Sequence, residues 1–119
     1  MKKFLTALLL SLVLIGPAAA KTTTAWKFAA GFYFTGTAAD LVSTDRTFNR
    51  CSTCYELNPT LPRHPTDARL YGQGAVFATV AYYGLYRVRE RYPKTAQVLL
   101  WVFGALHFTA AYHNEGVGR

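Results

Sequence analysis

Residues 95–114, TAQVLLWVFGALHFTAAYHN, form a run of twenty without a formal charge when histidine is taken as neutral. A membrane-crossing helix needs about 20 predominantly apolar residues, so this run is near spanning length. Leu100, Gly104, His107, Ala111 and Asn114 recur in it at helical spacing and line one stripe. Small residues on such a stripe let helix backbones approach closely, in lipid or in a compact bundle. Pro93, just ahead of the run, suits the first turn of a helix.

Two more apolar segments precede it. One covers about 26–44 and has no charge between Lys27 and Asp40; the other covers about 68–88 and is uncharged over 70–86. Gly36, Asp40 and Thr44 are four residues apart and share a helical face, and Gly74, Ala78 and Ala81 share another. Pro65-Thr66-Asp67 reads as a helix start, with a capping residue before the apolar run. The pattern predicts an all-α protein: helices at about 26–44, 68–88 and 94–113 in one domain, 21–119, forming a small membrane-embedded three-helix bundle. The link over 45–66 is the longest irregular stretch and holds Pro59, Pro62, Pro65 and both cysteines. The second link is a short basic turn with Arg87, Arg89, Arg91 and Lys94. There is no internal repeat or low-complexity tract.

The first twenty residues read as a secretory signal. Lys2 and Lys3 are followed by an almost wholly apolar run over 4–15, then Gly16-Pro17 and the small residues Ala18-Ala19-Ala20. A charged start, a short apolar core and an A-x-A site are the three parts of such a signal, so cleavage is expected after Ala20. The other reading is an uncleaved first transmembrane helix. Cleavage would leave about 99 of the 119 residues and a charge of +5, from 11 Lys and Arg against six Asp and Glu. That length suits one domain. Export argues against nucleic acid as the partner of a basic chain and favours anionic lipid. Aromatic residues make up 15% of the chain and fall mostly within the apolar segments, as suits a membrane interface or tight helix packing. A mean hydropathy of only +0.10 is low for a polytopic membrane protein.

Topology rules pull in opposite directions. A cleaved signal starts the mature chain outside, and three spans then put the cysteine loop inside and the basic turn outside. The positive-inside rule prefers the reverse, which would also place the cysteines in an oxidising space. The expected location is the bacterial cell envelope, in the inner membrane, with the periplasm as the alternative.

Asp40-Leu41-Val42-Ser43-Thr44 followed by Glu56-Leu57-Asn58-Pro59 resembles the D-x-x-[ST]-T…E-x-N-P signature of a family of small uncharacterised prokaryotic membrane proteins, the DUF5658-like group. In that group the Asp sits near the end of one apolar helix, and E-x-N-P opens the loop before the next. His113-Asn114 is similar to the polar end of the group's last helix. The resemblance covers most of the chain beyond the signal. It implies a helical membrane protein and carries no activity. Cys51 and Cys54 lie outside the signature.

Few residues carry candidate chemistry. An ionisable group in an apolar helix is costly and faces a partner or a cavity. Asp40 is therefore either a proton- or ion-handling carboxylate, paired with His107, or an anchor at the helix end. His107 either hydrogen-bonds across helices or accepts a proton. Glu56, Asn58 and Pro59 have turn composition, and Asn58 before Pro59 is biased to extended or turn backbone. Thr44 and Asn114 complete the expected polar cluster of Asp40, Thr44, Glu56, Asn58, Pro59, His107 and Asn114. Paired carboxylates at Asp40 and Glu56 would suit acid–base catalysis only if they met in one pocket.

Cys51-Ser52-Thr53-Cys54 is a CxxC pair, which in an oxidising compartment favours a disulfide and otherwise suits a redox centre or half a zinc site. There is no second CxxC, and a c-type haem site would need His where Tyr55 stands. No P-loop, nucleophile elbow or dinucleotide fingerprint occurs. No cofactor and no metal ligand set is assigned.

The expected function is structural or interaction-based, with membrane lipid, other envelope proteins or a second copy of the chain as partners. Two alternatives stand beside it: a periplasmic redox or metal-binding module using Cys51 and Cys54, and an envelope enzyme using Asp40, Glu56 and His107.

Overall fold

A computed structural model describes residues 23–117, in which three helices are joined by two links: α1 (Thr24–Arg50), α2 (Asp67–Val88) and α3 (Pro93–Gly116). The protein is an all-α bundle. The signal-peptide reading of 1–20 lies outside the described residues.

Each helix begins where its local chemistry directs. The Thr23 hydroxyl accepts a hydrogen bond from Trp26 N at 3.2 Å, and the Thr66 hydroxyl does the same for Arg69 N at 3.3 Å. Both satisfy a backbone donor that has no partner within its own helix. Asp67 adds a negative charge at the positive end of the α2 dipole. α3 has no side-chain cap and opens on Pro93, whose missing N–H leaves one fewer donor to satisfy.

The first and third helices run past their expected ends. α1 continues from Thr44 to Arg50, and α3 from His113 to Gly116. The two extensions support each other. The buried Thr47 hydroxyl shares its one proton between Ser43 O (2.9 Å) and Asn114 O (3.0 Å), and Glu115 meets Arg50 at 3.2 Å and Arg46 at 3.4 Å. The extra turns of α1 are polar but have a helix beside them.

α1 and α3 run parallel and pack closely, with α2 antiparallel across them. The start of α1 meets the end of α2 through Trp26, only 2% exposed, whose Nε1 donates to the Tyr82 hydroxyl at 3.1 Å. The Arg89 guanidinium stacks over the Trp26 and Tyr86 rings at 5.1 and 4.4 Å. Lower down, the Tyr33 hydroxyl donates to Ala78 O at 3.1 Å. The buried core runs along Trp26, Ala29, Ala30 and Tyr33 of α1, Ala78, Tyr82 and Leu85 of α2, and Ala96 and Leu100 of α3.

The small-residue stripes perform the expected task. A Cβ built on Gly36 would lie 2.6 Å from Gly104 O, and one on Gly104 would lie 2.5 Å from the Phe32 ring and 3.1 Å from Tyr33 Cα. The two backbones are in direct contact, and only hydrogen fits between them. On α2, Gly74 sits against Leu41 and Ala78 is buried, but Ala81, on the same face, is exposed along a groove.

Much apolar surface remains uncovered. Val76 and Val80 on α2 and Val98, Trp101, Val102 and Leu106 on α3 are all exposed. Among the described residues one helix, α3, is long and apolar enough to cross a membrane, and only 17% of its most apolar window is buried within the bundle. α2 has comparable length, but its Gln, Gly, Thr and Tyr residues dilute its hydropathy, so it falls short of the expected spanning character.

The glycine contact yields a paired prediction. Gly36→Ala is expected to destabilise by about 1–2 kcal/mol, because overpacking costs more than the roughly 1 kcal/mol gained in helix propensity. Gly84, with nothing within 4 Å of its built Cβ, should instead gain up to about 1 kcal/mol on Gly84→Ala. Chemical denaturation of the purified variants, followed by circular dichroism, checks both signs.

Candidate functional site

The stripe that brings the α1 and α3 backbones together also delivers the polar residues. Asp40 lies one helical turn beyond Gly36, and His107 lies three residues beyond Gly104. They meet across the interface, with His107 Nδ1 2.8 Å from Asp40 Oδ2. An ionised carboxylate only accepts, so Nδ1–H is the donor in this contact. The two side chains are partly open, 34% exposed for His107 and 23% for Asp40.

Asn114, two turns beyond His107, closes the seam. Its amide nitrogen lies 2.9 Å from Thr44 Oγ1, 3.2 Å from Ser43 Oγ and 3.4 Å from Asp40 Oδ1. Two amide hydrogens serve three acceptors; the Thr44 bond has the best length and the Asp40 bond is the weakest. Ser43 Oγ donates to Asp40 O at 2.8 Å. With Thr47 bonded to Asn114 O, the seam occupies two turns of both helices. Among the described residues, every buried side-chain nitrogen and oxygen has a partner.

The seam opens into a groove of about 1080 Å³ bounded by all three helices and the 51–66 link. Glu56 and Asn58 line the same groove, but no hydrogen bond joins them to the seam. They order the link instead. Glu56 Oε1 accepts from Asn58 N at 2.8 Å, and Asn58 Oδ1 accepts from Thr60 N at 3.0 Å and from Thr60 Oγ1 at 2.7 Å. This is the local side-chain-to-backbone bonding that makes Asn a turn residue. Gln73 ties the link to α2 by donating to Thr60 O at 2.8 Å. Pro59 is exposed and does not line the groove. Thus the expected cluster divides: Asp40, Thr44, His107 and Asn114 converge, Glu56 and Asn58 stand at the groove's edge, and Pro59 lies apart.

Cys51 and Cys54 are joined as a disulfide at the end of α1. Among the described residues no group of three or more His, Cys, Asp or Glu could hold a metal ion.

Five contributing residues are not among those expected from the sequence. Ser43 and Thr47 continue the Asp40 stripe at helical spacing, a signal that was available. Gln73 and the pair Tyr71–Asp45, bonded at 2.9 Å, join segments whose proximity no spacing reveals. Burial, reinforced by Asp45, raises the Tyr71 phenol well above its ordinary value, so it remains a donor.

Scans against protein-family models, curated proteins and solved structures found no match to this chain.

Asn114→Leu removes the donor while keeping similar bulk. It should cost about 1–3 kcal/mol through the unpaired Thr44 and Ser43 acceptors. The midpoint of denaturant unfolding measures this, and an unchanged midpoint would show that the seam does not hold the helices together.

Proposed function

We propose that this protein is a small integral membrane protein of the bacterial envelope that acts by non-covalent interaction, with membrane lipid as its constant partner. The observation that carries the reading is the uncovered apolar surface of α2 and α3. A soluble monomer seldom leaves so much contiguous apolar surface exposed, and a helix apolar on most sides belongs in a core or in lipid. α3 has the length and composition for the second of these. The resemblance to the DUF5658-like group points the same way.

The polar seam fits that setting. Backbone and side-chain polar groups placed in lipid must be satisfied internally. The Asp40–His107–Asn114 network keeps its members bonded to one another while presenting one edge to the groove. The charge distribution suits an envelope protein as well. Lys27, Arg87, Arg89, Arg91 and Lys94 gather at one end with Glu90 as the acidic residue there. Arg46, Arg50, Arg63 and Arg69 are balanced at the other end by Asp45, Glu56, Asp67 and Glu115. The basic end favours anionic headgroups.

The expected outcome of alkaline carbonate extraction is that the full chain remains with the membrane pellet; release into the supernatant overturns the integral-membrane reading. Alkylation in intact cells tests the compartment. With the cysteine loop in an oxidising space, Cys51 and Cys54 should react only after reduction. Labelling without reductant would put the loop on the reducing side.

A further inference from the structure

Among the described residues, Asp40 and Glu56 are the only formally charged ones that line the groove, and both are acidic. This runs against a chain whose formal charge is +7. Of the nearby basic side chains, Arg46 and Arg50 turn to Glu115, and Arg63, outside the lining, stacks over the groove-lining Tyr55 ring at 5.4 Å. His107 and His113, the remaining titratable nitrogen bases of the lining, are neutral in that count.

His107 Nδ1 is held against Asp40 Oδ2 at 2.8 Å. The Asn114 amide donors are spent within the seam, and the Gln73 amide donates to Thr60. The Asp40 and Glu56 carboxylates only accept. What distinguishes the groove's polar end is that its only formal charges among the described residues are two carboxylates, set beside hydroxyl and amide groups of Thr44, Tyr55 and Asn58. The groove's remaining length is apolar. Tyr33 and Phe103 line it toward the far end, and Tyr33 is two helical turns before Asp40, so the apolar part extends roughly 10 Å from the seam. Phe77 and Leu106, both exposed, form walls between α2 and α3.

We infer that the groove is a binding site for a cationic amphiphile: a molecule with a protonated primary amine head and one unbranched apolar tail. The ammonium group supplies the donors and positive charge that Asp40 and Glu56 complement. The tail lies between α2 and α3, replacing solvent or lipid on Phe77 and Leu106. Charge complementarity selects the head, and the apolar walls select the tail. The inference rests on the reading that the protein acts by non-covalent binding, and it is tested separately from membrane integration.

The experiment is saturation binding of radiolabelled octylammonium to the purified full chain in a neutral maltoside detergent, with octanol and octanoate as competitors. An octyl tail suits the apolar length of the groove. Binding should saturate at about one equivalent, and octanol and octanoate should compete roughly tenfold or more weakly than unlabelled octylamine. Glu56→Gln keeps an oxygen that can accept from Asn58 N, so it removes charge without removing the turn bond. It should weaken binding several-fold, and Asp40→Asn roughly tenfold. Glu90→Gln, at the opposite end of the bundle, should leave binding unchanged. Equal competition by octanol would show a groove that takes any alkyl chain and would overturn the inference. Absence of saturable binding, or unchanged affinity in both Glu56→Gln and Asp40→Asn, would overturn it too. Because Glu56 lies outside the seam, its variant reports even where Asp40→Asn disturbs helix packing. None of these results bears on carbonate extraction, so failure here and failure of the membrane reading are told apart.

Discussion

Gly36 and Gly104 face each other with no room for a methyl group between them, and the polar seam is aligned by that contact. Once the backbones of α1 and α3 touch, the helical repeat fixes which side chains meet along the rest of the interface. One turn beyond, Asp40 faces His107; further on, Asn114 reaches Ser43 and Thr44, and Thr47 returns a bond to Asn114 O. A wider separation would pull these pairs beyond hydrogen-bond range and leave partly buried polar groups unsatisfied, at a cost of about 1–3 kcal/mol each. Close packing and polar pairing therefore support each other.

α2 is held differently. Large side chains fasten one end of it, through Trp26, Tyr82 and Tyr86, and a hydrogen bond from Tyr33 secures its middle. Beyond Ala78 toward its start, contact with α1 passes through Leu41 on Gly74 and the Tyr71–Asp45 hydrogen bond, and the 51–66 link fills part of the remaining space. This leaves a groove beside the only carboxylate that α1 carries within its apolar run. The disulfide and the Glu56–Asn58 turn keep the link compact at the groove's edge. The result combines a rigid α1–α3 pair with a more open third wall, an arrangement in which a preformed polar edge meets an apolar channel.

The apolar periodicity was enough to predict three helices and their starts, because helix entry depends on local chemistry: a Thr hydroxyl at Thr66, a proline at Pro93. Helix ends were less legible. Asp45, Arg46, Asn49 and Arg50 look like a link when taken alone, and they are helical because α3 runs beside them and Glu115 pairs with both arginines. Asp40, Thr44, His107 and Asn114 were recognisable as polar positions on small-residue stripes. Glu56 and Asn58 shared a motif with Asp40, yet their hydrogen bonds are spent locally on Thr60 and on each other.

By itself, the sequence determined the all-α class, the faces on which small and polar residues lie, and the presence of a cysteine pair close enough for a loop staple. These are matters of short-range periodicity and spacing, which the chain carries within a few turns. Tertiary structure alone decided that the α1 and α3 stripes face each other, that Asp40 meets His107 across 67 residues of chain, and that α2 leaves a groove with only acidic formal charge among the described residues. Those outcomes depend on which helix pair packs closest. That choice is a competition between surfaces far apart in sequence, settled by how nearly two backbones can approach.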